Sequence, residues 1–357
     1  MGSEEFRRRM RAVGESLRSA GVAAVYLAHG TFVGADALGV LAELARILPS
    51  AADAVRRVVP RIVAKLIGEA GNYTASYARL FESAINTAAQ PRIPVRLFTW
   101  SSENHHLGRA DGAVRMIDEL AAHDLEPGQR VLLWGHSHAG NMFALMTNLL
   151  AADPEAVRWF FEATAVYYRW PLLRVVDIPV WNRVRGLLDQ EQWPRPALDV
   201  VTFGTPIRYG WDSDGYRRLL HFVHHRPAEG LPAYRAPFPP KLQRVMHAAD
   251  GDYVQQLGIA GTNVTPSVLS WRAWLADRRL NRLLQAEAKD ADPLERFQAG
   301  AIVPEEGTTL LVDYGPQHGT IAEHHAGHAI YTHKQWLLFH AEEVVRRFYT
   351  NRVCQVA

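Results

Sequence analysis

Apolar residues along the chain fall into two kinds of pattern, short continuous runs and longer stretches with helical spacing. The short runs lack the apolar–polar alternation of half-exposed strands, so they predict strands buried on both faces. Helical stretches separate them along the chain, which is typical of a parallel sheet covered by helices. The predicted strands are residues 22–28, 95–100, 130–134, 199–203, 243–248 and 308–312.

Turn residues and helical spacing place the main covering helices. One is predicted over residues 113–122, before a Pro-Gly turn at 127–128. Another follows the third strand over residues 141–150, and a last one runs from about residue 330 to 349. The predicted fold class is therefore α/β, with a mostly parallel central sheet and covering helices.

Three connections between the strands are much longer than a plain crossover: residues 38–86, 154–196 and 267–298. They account for the length of 357 residues without a second domain, so we expect a single domain over residues 1–357. Placed between sheet strands, such helical insertions could form a cap over the carboxyl edge of the sheet. The alternative is that they are scaffold or a dimer surface.

Composition and charge narrow the class of partner. Lys and Arg number 39 against 37 Asp and Glu, a net charge of +2, which disfavours nucleic acid or an acidic membrane. A single cysteine, Cys354, leaves no internal disulfide and no thiolate zinc cluster. No apolar run is long enough for a transmembrane segment and the charged N-terminus has no secretory pattern, so we expect a cytoplasmic protein. The sequence leaves the oligomeric state open.

The strongest chemical signal is the sequence GHSHAG at residues 135–140, between the third strand and the helix at 141–150. A strand that turns sharply into a helix, with small residues around a serine, exposes the serine hydroxyl above the sheet and beside a helix N-terminus. Ser137 is therefore the candidate nucleophile. The alternative is that Ser137 caps the helix, although a cap would not require small residues on both sides.

This segment resembles the nucleophile elbow of α/β-hydrolases, especially lipases and esterases with the pattern Gly-His-Ser-x-Gly-Gly. Ala139 stands in place of the second motif glycine and adds one methyl group there. The resemblance covers residues 22–349 apart from the three insertions. It implies an α/β-hydrolase fold and a serine hydrolase that cleaves carboxylic esters through a Ser-His-Asp triad and an acyl-enzyme, with no metal or other cofactor.

A second motif, HGTFVG at residues 29–34, follows the first strand. It resembles the His-Gly-x oxyanion loop of bacterial lipases, in which the residue after glycine donates its backbone N–H. The resemblance implies an oxyanion hole formed by the N–H of Thr31, with Phe32 as the neighbouring candidate, and by the N–H of His138 after the nucleophile. Taken alone, His-Gly after a strand is also a common turn.

The order serine, acid, histidine of α/β-hydrolases implies an acid on a loop beyond the serine. The predicted strand at 243–248 leads into a loop with two carboxylates, Asp250 and Asp252. Asp252, followed by an aromatic residue and Val, matches the lipase pattern better, and Asp250 is kept as the alternative. Either could be a turn residue beside Gly251. Residues 219–225 could form another strand, but they contain no carboxylate.

Five of the histidines that follow the last predicted strand compete for the role of base: His318, His324, His325, His328 and His333. The resemblance places the base on the loop before the terminal helix, where Gly-His is the usual pattern, which favours His328 over His333. The alternative chemistry is a metal site in which His324, His325 and His328 are ligands and Asp313 completes the set. Nothing in the sequence fixes that fourth ligand, and the elbow accounts for chemistry without an ion.

Aromatic residues are concentrated in the second insertion, residues 154–196, together with frequent charges and five prolines. An aromatic surface beside the pocket could bury an acyl chain, so we expect an acyl-binding pocket that includes Trp170. The competing interpretation is that these side chains pack on the protein's own core.

The substrate implied by the resemblance is a small-molecule or lipid-like acyl ester. The same machinery serves thioesterases, amidases and acyltransferases, and the fold does not choose among them. A hypothesis from a different class is that the scaffold only binds a partner, with an incomplete triad and the aromatic insertion as the binding surface.

Overall fold

A parallel sheet lies at the centre of the protein, which is described here by a computed structural model. In the part of the chain that is described, its strands are β1 (Val22–Ala28), β2 (Val95–Phe98), β3 (Arg130–His136), β4 (Ala197–Phe203), β5 (Arg218–His224) and β6 (Thr308–Val312). They lie in the order β2-β1-β3-β4-β5-β6, and each neighbouring pair is parallel. The predicted α/β class is confirmed. The structure describes residues 3–30, 71–123, 125–126, 128–169, 178–190, 195–237, 239–259, 265–266, 270–284, 306–317 and 321–350.

Helices surround the sheet. The described α-helices are α1 (Glu4–Ser19), α2 (Ala75–Ile85), α3 (His106–Ala121), α4 (His138–Ala151), α5 (Pro154–Tyr168), α6 (Pro179–Leu188), α7 (Leu242–Met246), α8 (Tyr253–Ile259), α9 (Trp271–Leu284), α10 (Ile321–His324) and α11 (Leu337–Phe348). Short 3-10 helices cover Ser213–Gly215, His325–Thr332 and Lys334–Trp336. None of the described helices is long and apolar enough to cross a membrane.

Each face of the sheet carries its own hydrophobic core, because successive residues of a strand point to opposite faces. In β1, Tyr26 belongs to a core shared with α3, α4, α5, α6 and α9. Its neighbours Val25 and Leu27 belong to a second core shared with α1, α2 and α11. The protein therefore has three layers, with the sheet between two layers of helices.

The direction in which the chain crosses the sheet reverses once. From β1 the chain passes to β2 at one edge, returns to β3 on the other side of β1, and then adds β4, β5 and β6 in order. The connections after β1 and β3 therefore leave the carboxyl edge in opposite directions. In open α/β sheets a crevice for ligands lies at such a point.

The predicted fifth strand is wrong. Residues 243–248 contain the short helix α7 and part of the turn after it, and the fifth strand of the sheet is instead β5. Leu220 and Phe222 of β5 are fully buried, as expected for a strand with a neighbour on each side. The other strand boundaries lie within two residues of the predicted ones.

The predicted terminal helix is also divided. Residues 330–349 contain the end of one 3-10 helix, a second 3-10 helix and then α11. The break falls at His333, whose backbone is extended (φ −70°, ψ 127°) and therefore cannot continue a helix. The helices predicted at 113–122 and 141–150 are present, and they begin earlier, as α3 and α4.

The described parts of the second and third insertions pack together on α3. We call α5, α6 and α9 the insertion layer; all three contribute to the core that contains α3. The indole N–H of Trp181 in α6 donates to Asp111 of α3 at 2.7 Å. Asp277 of α9 accepts from the backbone N–H of Leu107 in α3 at 2.9 Å. These helices form an outer layer over α3 that is held by apolar packing and by satisfied polar contacts.

Candidate active site

Ser137 lies between β3 and α4 in a strained backbone conformation. Its φ of 57° and ψ of −133° belong to a region that residues with a Cβ rarely adopt. The N–H of Ser137 donates to the carbonyl oxygen of Phe203 in β4 at 2.8 Å. The hydroxyl of Thr205 donates to the carbonyl oxygen of Ser137 at 2.7 Å. The end of β4 and the loop after it therefore hold the strained turn in place.

The small residues around Ser137 are required by close approaches. A Cβ on Gly135 would lie 2.6 Å from the ring of Phe143, and a Cβ on Gly140 would collide with the side chain of Thr205. The hydroxyl of Ser137 does not bond to an N–H of the first turn of α4. Ser137 therefore occupies the N-cap position of α4 without the side-chain hydrogen bond by which a serine usually caps a helix.

The loop after β1 touches the serine. A Cβ on Gly30 would lie 2.5 Å from Cβ of Ser137 and 3.1 Å from its Oγ. The loop after β1 and the turn after β3, which leave the sheet in opposite directions, therefore meet at the side chain of Ser137. His138 begins α4, so its N–H has no acceptor within the helix. Thr31 and Phe32 lie outside the described residues, and the oxyanion hole that they would complete with His138 stays a prediction.

Asp252 and His328 form a buried pair. Nδ1 of His328 lies 2.7 Å from Oδ2 of Asp252, and both side chains are less than a tenth exposed. The same oxygen accepts from the hydroxyl of Tyr331 at 3.1 Å, and Oδ1 accepts from the N–H of Gln255 at 2.9 Å. These contacts fix the carboxylate against Nδ1 and leave Nε2 of His328 for another role.

The loop that carries Asp252 is bonded to the end of β5. The N–H of Asp252 donates to the carbonyl oxygen of His224 at 2.9 Å, and Gly251 forms an antiparallel bridge with His225. Gly251 has a φ of 126°, and a Cβ there would collide with the backbone of His224. The acid loop is thus tied to the carboxyl edge through β5, although the strand from which it was predicted does not exist.

Asp250, the alternative acid, bonds a different set of groups. Its Oδ1 accepts from Nε of Arg244 at 2.8 Å, and its Oδ2 accepts from the hydroxyl of Tyr253 at 2.5 Å. Burial acts to raise the pKa of Asp250, but these donors outweigh burial and hold the pKa below its ordinary value. Of the two carboxylates, Asp252 is the one that bonds His328.

Nε2 of His328 is buried and has no hydrogen-bond partner among the described residues. Ser137 and His328 are therefore not hydrogen-bonded in this structure. Their elements are nevertheless adjacent, because the ring of His136, which precedes Ser137, lies 4.5 Å from the ring of His328 between centroids. Catalytic hydrogen bonds are often long without substrate and shorten when it binds.

His136 connects the serine strand to the histidine loop, a role that no pattern in the sequence indicates. Its Nδ1 lies 3.0 Å from the carbonyl oxygen of Gly71, and its Nε2 lies 2.9 Å from the carbonyl oxygen of His328. Burial, with a smaller contribution from the nearby His328, lowers the pKa of His136 well below its ordinary value. The imidazole is therefore neutral, so it can donate to only one of the two carbonyl oxygens.

Tyr331 is a second site residue that the sequence analysis missed. Burial, followed by the charge of Asp252, raises the pKa of Tyr331 well above its ordinary value, so the phenol stays protonated and can donate. The signal in the sequence is that Tyr331 follows His328 by three residues. Residues three apart lie on the same side of a helical turn, so both side chains can reach the same group. Gly204, at φ 58°, makes room for this contact, since a Cβ there would lie 2.6 Å from Oδ2 of Asp252.

Two of the other candidate metal ligands, His324 and Asp313, bond to groups outside the candidate site. Nε2 of His324 lies 3.1 Å from a main-chain carbonyl oxygen of α7, and Asp313 accepts from Arg226 at 2.9 Å. In the described part of the chain, no three His, Cys, Asp or Glu side chains lie close enough together to hold a metal ion. His318 lies outside the described residues.

The aromatic side chains of the second insertion mostly belong to the core. Trp181 is fully buried and stacks with Tyr168 at 5.1 Å and with Phe160 at 5.8 Å between ring centroids. Trp159 is 49% exposed, and Trp170 lies outside the described residues. The competing interpretation, packing on the protein's own core, therefore holds for the buried cluster, and the acyl pocket stays a prediction for Trp170.

Residues from three strand ends thus meet at the carboxyl edge: Ser137 after β3, Asp252 in the connection after β5, and His328 after β6. Comparisons with models of protein families, with curated proteins and with solved structures found no match to the chain.

Proposed function

We propose that the protein is a serine hydrolase of carboxylic esters with the α/β-hydrolase fold. The observation that carries the proposal is the strained backbone of Ser137, whose hydroxyl is not used to cap the helix that follows. Strain of this kind costs stability and persists mainly at functional sites. The buried pair of Asp252 and His328, and the chain order serine, aspartate, histidine, support the same conclusion.

In the proposed mechanism, Oγ of Ser137 attacks the acyl carbon while Nε2 of His328 accepts the hydroxyl proton. Asp252 keeps the N–H of His328 on Nδ1 and stabilises the imidazolium that forms. The N–H of His138, with that of Thr31 or Phe32, donates to the oxyanion. His328 returns the proton to the leaving alcohol. It then deprotonates a water that attacks the acyl carbon, and it gives that proton to Oγ of Ser137 as the bond from Oγ to the acyl carbon breaks and the acid leaves.

The strand order supports the α/β-hydrolase fold in particular. Ser137 follows the strand beside the reversal of chain direction, and His328 follows the last strand of the sheet. The substrate class is a small-molecule or lipid-like acyl ester, and thioesters and amides remain accessible to the same groups. The proposed chemistry needs no cofactor.

A second candidate function, binding without catalysis, is favoured by one observation. Nε2 of His328 lacks a partner among the described residues, as it would in a triad that is not aligned for proton transfer. The two candidates differ in whether the serine ever forms a covalent intermediate.

Rapid mixing with p-nitrophenyl esters separates them. We expect wild-type protein to release p-nitrophenolate, with a first equivalent released faster than the steady state wherever deacylation is slower than acylation. The His328→Ala variant should lose both phases, and the matched His333→Ala variant should keep them. Wild-type protein that releases no p-nitrophenolate from esters between acetate and octanoate would leave the binding function as the better account.

A further inference from the structure

The backbone before His328 is irregular, so the position of the proposed base depends on contacts outside its own segment. The histidine loop is the segment His325–Thr332. Its first residues, His325, Ala326 and Gly327, have φ values of 46°, 51° and 94°, so three left-handed positions in succession precede His328. For residues with a Cβ, such positions persist only where the surrounding structure holds them.

The acid loop holds the histidine loop from one side. Oδ2 of Asp252 lies 2.7 Å from Nδ1 of His328. A Cβ on Gly327 would lie 2.5 Å from the carbonyl oxygen of Gly251, so the two loops pack closely. A contact at one ring nitrogen fixes the distance from the imidazole to the carboxylate, but it does not fix the main chain of His328.

The serine strand contacts the main chain of the histidine loop. Nε2 of His136, the last residue of β3, lies 2.9 Å from the carbonyl oxygen of His328, and Nδ1 lies 3.0 Å from the carbonyl oxygen of Gly71. The N–H of Gly71 donates to the hydroxyl oxygen of Thr332 at 3.1 Å. The ring of His136 therefore reaches this loop directly at His328 and through Gly71 at Thr332.

Only one of the two carbonyl contacts of His136 can be a hydrogen bond. Burial lowers the pKa of His136 well below its ordinary value, so the ring carries a single N–H. The other carbonyl oxygen faces a lone pair, and such a buried contact costs stability. The shorter of the two contacts is the one from Nε2 to His328. The chain therefore keeps a costly polar contact one residue before its proposed nucleophile.

The place of His136 in the chain gives this contact a use. His136 directly precedes Ser137, whose N–H donates to Phe203 and whose carbonyl oxygen accepts from Thr205. The backbone that carries the imidazole and the nucleophile is thus fixed. A hydrogen bond from that imidazole to the main chain of His328 therefore holds the base at a defined distance from the serine.

We propose that His136 is a positioning residue for ester hydrolysis: its Nε2–H donates to the carbonyl oxygen of His328 and sets the position of the base relative to Oγ of Ser137. The proposal rests on the proposed function, because it adds a residue to the same site. His136 does not touch the substrate. Loss of its contact should displace His328 and slow acylation, while the Kd of the substrate stays the same because no substrate contact changes.

Two amide substitutions separate the two contacts of the ring. The side-chain nitrogen of His136→Gln ends near the position of Nε2, and that of His136→Asn ends near the position of Nδ1. Rapid mixing with increasing p-nitrophenyl hexanoate measures the acylation rate constant and the substrate Kd separately. We expect His136→Gln to acylate within about threefold of wild type and His136→Asn about 10- to 100-fold more slowly, both with Kd within about twofold of wild type.

The matched control makes the same change at another buried imidazole. His221 lies in β5, and its Nδ1 is 2.6 Å from the hydroxyl of Thr202 in β4. His221→Asn should leave the acylation rate constant of the folded protein within about threefold of wild type. A loss as large as that in His136→Asn would show that removing any buried imidazole slows acylation, and it would overturn the positioning role.

The remaining outcomes separate this proposal from the proposed function. Acylation by His136→Asn at the wild-type rate, with hydrolysis that still depends on Ser137, would overturn the positioning role and leave the proposed function standing. His136→Gln that acylates no faster than His136→Asn would contradict donation from Nε2 to His328.

Hydrogen exchange provides an arm that does not need turnover. Backbone amides of the histidine loop should exchange about tenfold faster in His136→Asn than in wild type, and His136→Gln should stay close to wild type. Equal exchange in all three proteins would contradict the contact. Wild-type protein that hydrolyses no ester, with this difference in exchange intact, would overturn the proposed function and the positioning role with it, and would leave a structural contact alone.

Discussion

The two edges of the sheet differ in which residues adopt a left-handed backbone. At the amino edge, the positions with positive φ are glycines, namely Gly21, Gly128 and Gly307, each within two residues of the start of a strand. In the described chain, the non-glycine residues with positive φ all lie in connections that follow strands at the carboxyl edge. These residues are Ser102, Ser137, Ala248, His325 and Ala326.

The carboxyl edge and the insertion layer also differ in the buried polar groups that they contain. At the carboxyl edge, burial keeps the imidazoles of His29, His136 and His138 neutral by lowering their pKa. In the insertion layer, the contact of Trp181 with Asp111 pairs two buried polar groups. Strain and incompletely bonded polar groups both cost stability. The concentration of strained non-glycine residues at the carboxyl edge therefore supports a site at that edge, in addition to the Ser137 motif.

The largest effect expected at the carboxyl edge is that of Ser137→Ala. It should lower kcat for p-nitrophenyl ester hydrolysis by on the order of 10⁶-fold. The free energy of unfolding should stay within about 1 kcal/mol of wild type, because the hydroxyl caps nothing. Ser102→Ala, at the other strained serine of this edge, is the control and should lower kcat far less. Activity of Ser137→Ala within tenfold of wild type would contradict the proposal that Ser137, at the carboxyl edge, is the nucleophile.

The next effect separates the two carboxylates of the acid loop. Asp252→Asn should lower kcat by on the order of 10⁴-fold, since the amide no longer holds the N–H of His328 on Nδ1. Asp250→Asn should lower kcat much less and reduce stability instead, because it weakens the ion pair with Arg244. If the two effects on kcat are reversed, the acid is Asp250.

A smaller effect tests whether the insertion layer serves only as hydrophobic core or also forms a substrate pocket. Trp181→Ala should lower the free energy of unfolding by about 3–5 kcal/mol, because it leaves a cavity in a fully buried cluster. Trp159→Ala, in the same insertion but half exposed, should change it by less than about 1 kcal/mol. Urea unfolding measures both. A Trp181→Ala variant of unchanged stability whose preference for acyl length shifts would show that the cluster is a substrate pocket.

The neutral imidazoles of the carboxyl edge predict a dependence of stability on pH. A histidine whose folded pKa is lowered contributes stability that is fully present above the unfolded pKa of about 6.5 and is lost as pH falls. Each such group should cost up to about 1.4 kcal/mol per pH unit below that value. His29→Gln should therefore lose less stability than wild type between pH 7.5 and 5.5. Equal losses in urea unfolding would contradict the assignment of a neutral imidazole.

The smallest expected effects are on stability, when a glycine of the amino edge is replaced by alanine and an alanine of the carboxyl edge by glycine. Gly128→Ala at the amino edge should lower the free energy of unfolding by about 1 kcal/mol, through left-handed backbone strain alone, because nothing lies within 4 Å of the added Cβ. Ala326→Gly at the carboxyl edge should leave stability unchanged or raise it by up to about 1 kcal/mol, since it relieves the same strain. Destabilisation by Ala326→Gly as large as that by Gly128→Ala would contradict this.

The sequence predicts correctly those strands whose local apolar pattern fits only one kind of element. β1, β3 and β4 are mostly apolar, without alternation, and are buried on both faces, so their sequence pattern and their burial agree. Residues 219–225, which contain most of β5, were only a possible strand in the sequence, because they contain no carboxylate that could supply the acid. The place of β5 in the sheet depends on pairing with β4 and β6, which are distant in sequence, and a local pattern does not contain that information.

The residues of the candidate site also differ in how far the sequence alone predicts them. Ser137 could be identified from the sequence because small residues at fixed spacing are needed for a sharp turn. The choice of His328 among five histidines relied on resemblance, and the bond to Asp252 depends on tertiary packing. The contact of His136 with the carbonyl oxygen of His328 joins two loops through the fold and leaves no signal along the chain.

The most direct test of the central claim is covalent labelling with a fluorophosphonate probe, followed by mass spectrometry of the peptide that contains Ser137. Such a probe reacts with a serine that a neighbouring base activates and leaves an inert hydroxyl untouched. The account predicts a stoichiometric adduct on Ser137 in the wild-type protein and none in folded Ser137→Ala or His328→Ala. Wild-type protein that stays unlabelled, or labelling that persists in folded Ser137→Ala, would contradict it.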